Sequence, residues 1–379
     1  MKRTFLKFFI LLILASFTLT SEACRFTVRE IGFSLLSSTT YTLVIVDDQA
    51  AASSAIAKLQ ARVKGANMKV LALSAQRESE HPFIMLAKNA GLKFPTAFLL
   101  APDNRLCRLF DNGTYSLSQL AVVAEKKIIH SPLRQQLLTD NADTFAYVVR
   151  IPGKNVQETT TVDRQIQEDC ARVKDIMSLM PKQVKNPPKQ LLLTAQQCNE
   201  EQVVLWSLGL DSVNLPEHPV VHIIYGRGRF MGNGLQLSDI HNGNIYRYLA
   251  MVGADCECNL DRTWMLGTQL PMLWEGKTRQ ALASSLGFDV DNPLIQAEMS
   301  RILSKEEPGG NSTISFTPET IDLDEVFDSE DKPQLAEQTY DGSTTTASKT
   351  TNVLWITLGS LFVLVVLASG YIFMKRKED

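Results

Sequence analysis

Short runs of branched and aromatic residues recur through the middle of the chain: Tyr41 to Asp47 (YTLVIVD), Lys69 to Ser74, Phe145 to Ile151 and Gln190 to Thr194. Polar or turn-forming residues bound each run, which is the pattern of a buried strand. Stretches with helical spacing separate them. The first helix of each set is expected to end at Ala61-Arg62-Val63-Lys64 and at Ala171-Arg172-Val173-Lys174. Second helices are expected over about Pro82 to Ala90 and Glu200 to Leu208. A proline, Pro95 or Pro219, then opens a third strand that turns back at Asp103-Asn104 or at Gly226-Arg227-Gly228. Such residues favour tight turns. Strands alternating with helices predict βαβ units on a parallel sheet, and each closing hairpin predicts an antiparallel edge.

The pattern changes at both ends. Met1-Lys2-Arg3 precedes an apolar run from Phe8 to Ala15 and the small residues Ser21 and Ala23, the layout of a secretory signal peptide over residues 1–23. Cleavage there leaves Cys24 first. A lipid-modified cysteine wants an aliphatic residue where Ser21 stands, so ordinary cleavage is the expectation. Residues 353–374 carry no charge, and Lys375-Arg376-Lys377 follow at once. About 20 apolar residues in a helix cross a bilayer, and a basic cluster at the end marks the cytoplasmic side. The expected topology is type I, with residues 24–352 outside the cytoplasm and residues 375–379 inside.

Between body and span, residues 305–352 hold eleven acids against three bases, with Pro308-Gly309-Gly310 and Ser343-Thr344-Thr345-Thr346 as breakers. This segment has too little apolar surface to offset its ordering entropy, so a disordered acidic stalk is expected. Overall, the 379 residues are 45% hydrophobic and carry a net charge of −3. That balance excludes a general nucleic-acid binder, which needs an excess of Lys and Arg. The expected partners are the lipid bilayer, through residues 353–374, and an envelope or membrane protein.

The body repeats itself. Lys69-Val70-Leu71-Ala72-Leu73-Ser74-Ala75-Gln76 matches Lys189-Gln190-Leu191-Leu192-Leu193-Thr194-Ala195-Gln196 at five of eight positions. The Ala-Arg-Val-Lys tetrads lie upstream of both. Phe94-Pro95-Thr96-Ala97-Phe98-Leu99-Leu100 and His218-Pro219-Val220-Val221-His222-Ile223-Ile224 lie downstream. Three matches in one order imply a duplication.

Each copy resembles the thioredoxin fold, over roughly residues 38–130 and 143–255, through its element order and through Lys93-Phe94-Pro95-Thr96 and Glu217-His218-Pro219-Val220. The resemblance implies that Pro95 and Pro219 define the fold, each as a cis proline facing the active-site corner. It also implies a Cys-x-x-Cys at the N-terminus of the first helix, where the thiolate is stabilised. Those places read Asp47-Asp48-Gln49-Ala50-Ala51-Ala52-Ser53-Ser54 and Pro152-Gly153-Lys154-Asn155-Val156, and neither holds a thiol. The start Cys24 to Phe33, with the YGRGR and CEC segments, is similar to exported, membrane-anchored proteins of planctomycete-type bacteria. That likeness implies an envelope location and carries no assigned activity with it.

Other groups remain as candidate sites. Cys256-Glu257-Cys258 offers a strained, labile disulfide, a soft-metal site, or two halves of structural disulfides with Cys24, Cys107, Cys170 or Cys198. The structural reading is the expected one, with a local Cys170–Cys198 bridge conceivable within the second copy. His218 and His222 share a face if their strand is regular, which is the alternative for a metal. No metal or other cofactor is the expectation. Gly226 to Gly234 looks like a phosphate loop, but it falls where the repeat demands a hairpin. Its Arg227 and Arg229, with His218 and Pro219, are candidates for an exposed edge that binds an anionic ligand or a partner. Asn112-Gly113-Thr114 and Asn311-Ser312-Thr313 are glycosylation sequons.

The expected fold class is α/β: two tandem thioredoxin-like domains, residues 24–137 and 138–304, then the stalk, the span and a short tail. The expected function is a binding or scaffold module of the envelope without catalysis. The alternatives are an accessory subunit of a membrane transporter and a thiol–disulfide oxidoreductase using Cys256 and Cys258.

Overall fold

The computed structural model describes residues 25–304, other than 37, 48–53, 110–118, 120–121, 123–124, 212 and 256–266. The signal peptide, the stalk, the span, both sequons, Cys24, Cys256 and Cys258 lie outside the described residues. No helix among the described residues is long and apolar enough to cross a membrane.

The two copies fold alike. In the first, β1 (Tyr41–Asp47) leads through α2 (Ser54–Arg62) to β2 (Met68–Ser74), then through α3 (Pro82–Asn89) to the hairpin β3 (Thr96–Leu100) and β4 (Leu106–Arg108). The strand order is β2-β1-β3-β4. In the second, β5 (Tyr147–Ile151) leads through α5 (Val156–Ile176) to β6 (Lys189–Leu192). Then α6 (Ala195–Glu200) and α7 (Gln202–Ser207) lead to β7 (Val220–Tyr225) and β8 (Arg229–Phe230), in the order β6-β5-β7-β8. Only the β1–β2 and β5–β6 pairs are parallel; the remaining pairs are antiparallel, so the sheets are mixed rather than parallel with one edge reversed. A right-handed βαβ unit followed by a reversed central partner produces this order, because the third strand inserts beside the first. The hairpin turns fall where expected, with Asn104 and Gly226 both at positive φ.

Side-chain alternation splits each sheet between two clusters. Tyr41, Leu43 and Ile45 face Ile56 and Leu59 of α2 and Val63 just after it. Val44 and Val46 face Ile84 and Ala87 of α3. In the second sheet, Ala146 and Val148 face Val162, Ile166 and Val173 of α5, together with Ile245, Leu249 and Val252 of α9 (Asn244–Gly253) and Met299 and Ile302 of α11 (Pro293–Ser304). Tyr147, Val149 and Ile151 face Leu133 and Leu137 of α4 (Pro132–Asp140) and Leu282 of α10 (Gly276–Leu286). A short α8 (Leu237–His241) precedes α9.

Two findings depart from the sequence reading. Helix α1 (Val28–Gly32), which the sequence reading counted with the first copy, packs into the second: Phe26, Val28 and Ile31 join one of its clusters and Phe33 the other. Thr27 caps α1 reciprocally with Glu30, and buried Arg29 donates to the carbonyls of Asn141, Ala142 and Thr144 at 2.8 to 3.1 Å. The copies are also not separate beads. Within α7, Val204 and Leu205 belong to the second copy's core, while Val203 and Trp206 complete the first copy's core. A helix buried all round serves both neighbours. Arg105 of the first hairpin closes the end of α7, donating from Nη1 to the Trp206 carbonyl at 2.6 Å.

The strip over residues 267–274 finishes this seam. Asn67 holds it with its whole amide, donating to the Leu270 carbonyl at 3.0 Å and accepting from the Met272 N–H at 2.9 Å. Tyr41 donates its hydroxyl to the Gln269 carbonyl at 2.8 Å, and buried Arg134 donates to the Pro271 carbonyl at 3.0 Å.

Candidate functional site

The candidate site is the corner of the second copy where a redox thioredoxin carries its dithiol. β5 ends at Ile151, and Pro152-Gly153-Lys154 turn the chain into α5. Asn155 caps that helix, its Oδ1 accepting from the N–H groups of Gln157 (3.0 Å) and Glu158 (3.3 Å). Opposite lies the loop before β7. A Cβ on Gly153 would stand 2.6 Å from the His218 carbonyl carbon and the Pro219 nitrogen, so only glycine allows the approach. The Lys154 N–H donates to the carbonyls of Pro216 (3.1 Å) and Glu217 (3.2 Å), locking the two loops together.

Charges fill the place of the thiols. Lys154 Nζ lies 2.8 Å from Glu217 Oε2, and His218 Nδ1 lies 2.8 Å from Glu158 Oε2. Hydrogen bonding and the charge of Glu158 raise the His218 pKa above its ordinary value, and the Lys154 ammonium holds Glu217 below the usual carboxylate range. With Nδ1 turned to Glu158, the His218 side chain, 55% exposed, offers Nε2 to the surroundings. The corner is therefore a solvent-facing set of alternating charges. It can accept and donate hydrogen bonds to a partner.

Of the residues singled out from sequence, His218 and Pro219 are brought to this corner. The remainder are not. The peptide before Pro219 is trans, whereas Phe94-Pro95 is cis, so the cis proline implied for both copies holds only in the first. The first copy's sequence counterpart of the Pro152-Gly153-Lys154 turn, residues 48–53, lies outside the described residues. His218 and His222 do not share a site. His222 lies within β7, fully buried and edge-on to Phe230 at 6.0 Å, with neither ring nitrogen hydrogen-bonded. Burial alone pushes its pKa down to about 4. Among the described residues no three metal-ligating side chains cluster.

Arg227 and Arg229 do not form an exposed edge. Arg229 is fully buried and donates to the carbonyls of Gly32 (3.1 Å), Gly267 (3.1 Å) and Ser34 (3.2 Å). Arg227 donates Nε to the Phe33 carbonyl, pairs with Asp291 and lies over the Trp274 ring at 5.3 Å. The glycines of this turn serve packing: Gly226, at φ +55°, meets Gly32 so closely that a Cβ would overlap its backbone.

The three described cysteines, Cys107, Cys170 and Cys198, are free and buried, which overturns the expectation that they enter disulfides. Cys170 and Cys198 lie in the two clusters on opposite faces of the second sheet, so a bridge between them is closed off by the sheet itself. Desolvation pushes their thiols up, to about 12 for Cys107 and Cys170 and about 11 for Cys198. Such thiols are inert at neutral pH.

Sequence reasoning groups Glu217 with His218 but misses Lys154 and Glu158 as their partners. The signal was present only in the repeat: aligning the two copies puts residues 152–158 opposite the loop that carries Pro219.

No family model matches the chain, and no curated protein sequence matches it. Among solved structures, the first two thioredoxin domains of Eps1p from Saccharomyces cerevisiae align at 12% identity, covering 55% of this chain and 91% of that one, with a TM-score of 0.20. The same two domains of Eps1p from Naumovozyma dairenensis align at 11% identity over 55% and 91%, also with a TM-score of 0.20. At such values neither structure bears on fold or function. The chain is thioredoxin-like by the order and direction of its own strands, twice over.

Proposed function

We propose that the chain is a binding module, held at a membrane by residues 353–374, whose second thioredoxin-like domain presents the Lys154–Glu158–Glu217–His218 corner to an envelope or membrane protein. One observation supports this above others. The corner that performs thiol chemistry in a redox thioredoxin is here built from two ion pairs, and the glycine at its centre leaves no room for any side chain. Exposed pairs contribute little to stability, so conserving the fold does not require them. They do set charge complementarity toward a partner.

The test is photo-crosslinking in intact cells, with the full chain carrying a photoreactive residue in place of His218 and, as a control, in place of exposed Gln135 on α4. Discrete adducts from position 218, weakened by Glu158→Lys with Glu217→Lys, support the reading. Equal or absent adducts at the two positions oppose it. Adducts to a polytopic membrane protein would make the chain an accessory subunit of a transporter.

A second reading keeps one observation in its favour. With Cys107, Cys170 and Cys198 buried and free, any dithiol chemistry falls to Cys24, Cys256 and Cys258. Three thiols form one intrachain bridge at most, so an oxidised chain retains one that is unpaired or modified.

A further inference from the structure

A cavity of about 190 Å³ opens in the seam between the copies. Its walls come from four separate parts of the chain. Ser38 lies ahead of β1, Gly65 and Asn67 lie between α2 and β2, Arg227 sits in the β7–β8 turn, and Gln269 and Arg279 belong to the strip and to α10. Among the described residues, the lining contains two arginines and no carboxylate.

Their hydrogen-bonding capacity is not used up. Arg227, 3% exposed, spends Nε on the Phe33 carbonyl and Nη2 on Asp291. Arg279 reaches the same carboxylate only at 3.7 Å, outside hydrogen-bond range, and its side chain is 46% exposed. Its Nη2 lies against Gly65, 3.8 Å from where a Cβ would stand. Asp291, with Asp289 acting at longer range on Arg227, stands behind the arginines rather than in the cavity. Gln269 is 3% exposed and its Oε1 has no hydrogen-bond partner. A buried amide left this way calls for a donor. Asn67, by contrast, is saturated by the backbone and fixes the shape of the wall.

We infer that this cavity binds a small free oxyanion that also carries a hydroxyl, orthophosphate being the simplest of the class. The guanidinium groups take the anionic oxygens. The hydroxyl donates to Gln269. The volume accommodates an anion of a few heavy atoms. Because the walls belong to both copies, a bound anion ties the copies together, and binding raises the unfolding temperature. The inference is independent of the His218 corner.

The experiment is thermal unfolding and calorimetric titration of the full chain in detergent, with inorganic phosphate at constant ionic strength and with sulfate, which has no hydroxyl donor at neutral pH, as comparison. A saturable rise in unfolding temperature with phosphate, a weaker one with sulfate, and an affinity lowered about tenfold or more by Arg279→Gln are expected, since the variant loses a charged hydrogen bond to the anion. Arg279 is half-exposed, so the variant folds, which circular dichroism checks. No saturable rise in the parent chain overturns the inference, and so does a rise unchanged in Arg279→Gln. Sulfate equal to phosphate overturns the role given to Gln269.

Discussion

Two histidines four residues apart respond to pH in opposite senses. His222 is buried without a partner and its pKa falls to about 4. In the unfolded chain it takes up a proton near its ordinary value of about 6.5. Between those values the unfolded state binds more protons, so stability drops as pH falls through that window. The loss by pH 4.5 is about 2–3 kcal/mol, at about 1.4 kcal/mol per pH unit. Urea unfolding of the parent and of His222→Leu at pH 7 and pH 4.5 checks this: the variant loses markedly less stability on acidification, and equal losses would contradict the assignment. His218 has its pKa raised by Glu158. Its ion pair is fully formed below the ordinary histidine value and is lost as pH rises through the raised one. Nuclear magnetic resonance titration of the ring is expected to show a pKa that returns toward its ordinary value in Glu158→Gln.

Residue identity alone did not reveal these roles. His222 sits inside an apolar strand run, where a hydrogen-bonded core histidine is the expectation; the structure buries it without a hydrogen bond, because such partners come from neighbours in space. The buried arginines were read as surface for the same reason. Arg229 finds carbonyls of Gly32, Ser34 and Gly267, positions far apart in sequence.

At the level of elements, the strands and the hairpin prolines were legible because each run is apolar on both faces and recurs in the second copy. Strand β1 falls on Tyr41–Asp47, as its run of residues predicts. Helix α1 was not legible. Its five residues include Arg29 and Glu30, which look solvated until the Thr27–Glu30 cap and the carbonyls above Arg29 are in place. Helix α7 falls within the helix predicted over Glu200 to Leu208, but that prediction does not show that residues Val203 to Ser207 are all buried. Trp206→Ala empties the first copy's core while lying in the second copy's sequence. A loss of about 3–5 kcal/mol is expected, as for large aromatic truncations. Hydrogen exchange should show the loosening in β1 and β3 of the first copy. Protection lost only around α7 itself would contradict the shared core.

The whole molecule follows from that sharing. Neither copy is complete within its own stretch of sequence: the first lacks Val203, Trp206 and the 267–274 strip, and the second lacks α1. A fragment of residues 38–130 is therefore expected to remain unfolded by circular dichroism, and a cooperatively folded fragment would contradict the seam. The strip itself escaped sequence reasoning because it carries no periodic pattern. Its backbone is held by Asn67, Tyr41 and Arg134 rather than by a regular ladder. The proposed membrane attachment rests on residues 353–374, whose composition is the signal.

The claim on which the account turns is that this chain binds rather than exchanges disulfides. The direct measurement is thiol–disulfide exchange by the full chain on a model disulfide peptide, with mass-spectrometric mapping of every cysteine before and after a mild dithiol. The account predicts no turnover, with Cys107, Cys170 and Cys198 free and unreactive until unfolding, and Cys256 and Cys258 unchanged by the mild reductant. Turnover that disappears in Cys256→Ser or Cys258→Ser would contradict it and make the chain an oxidoreductase.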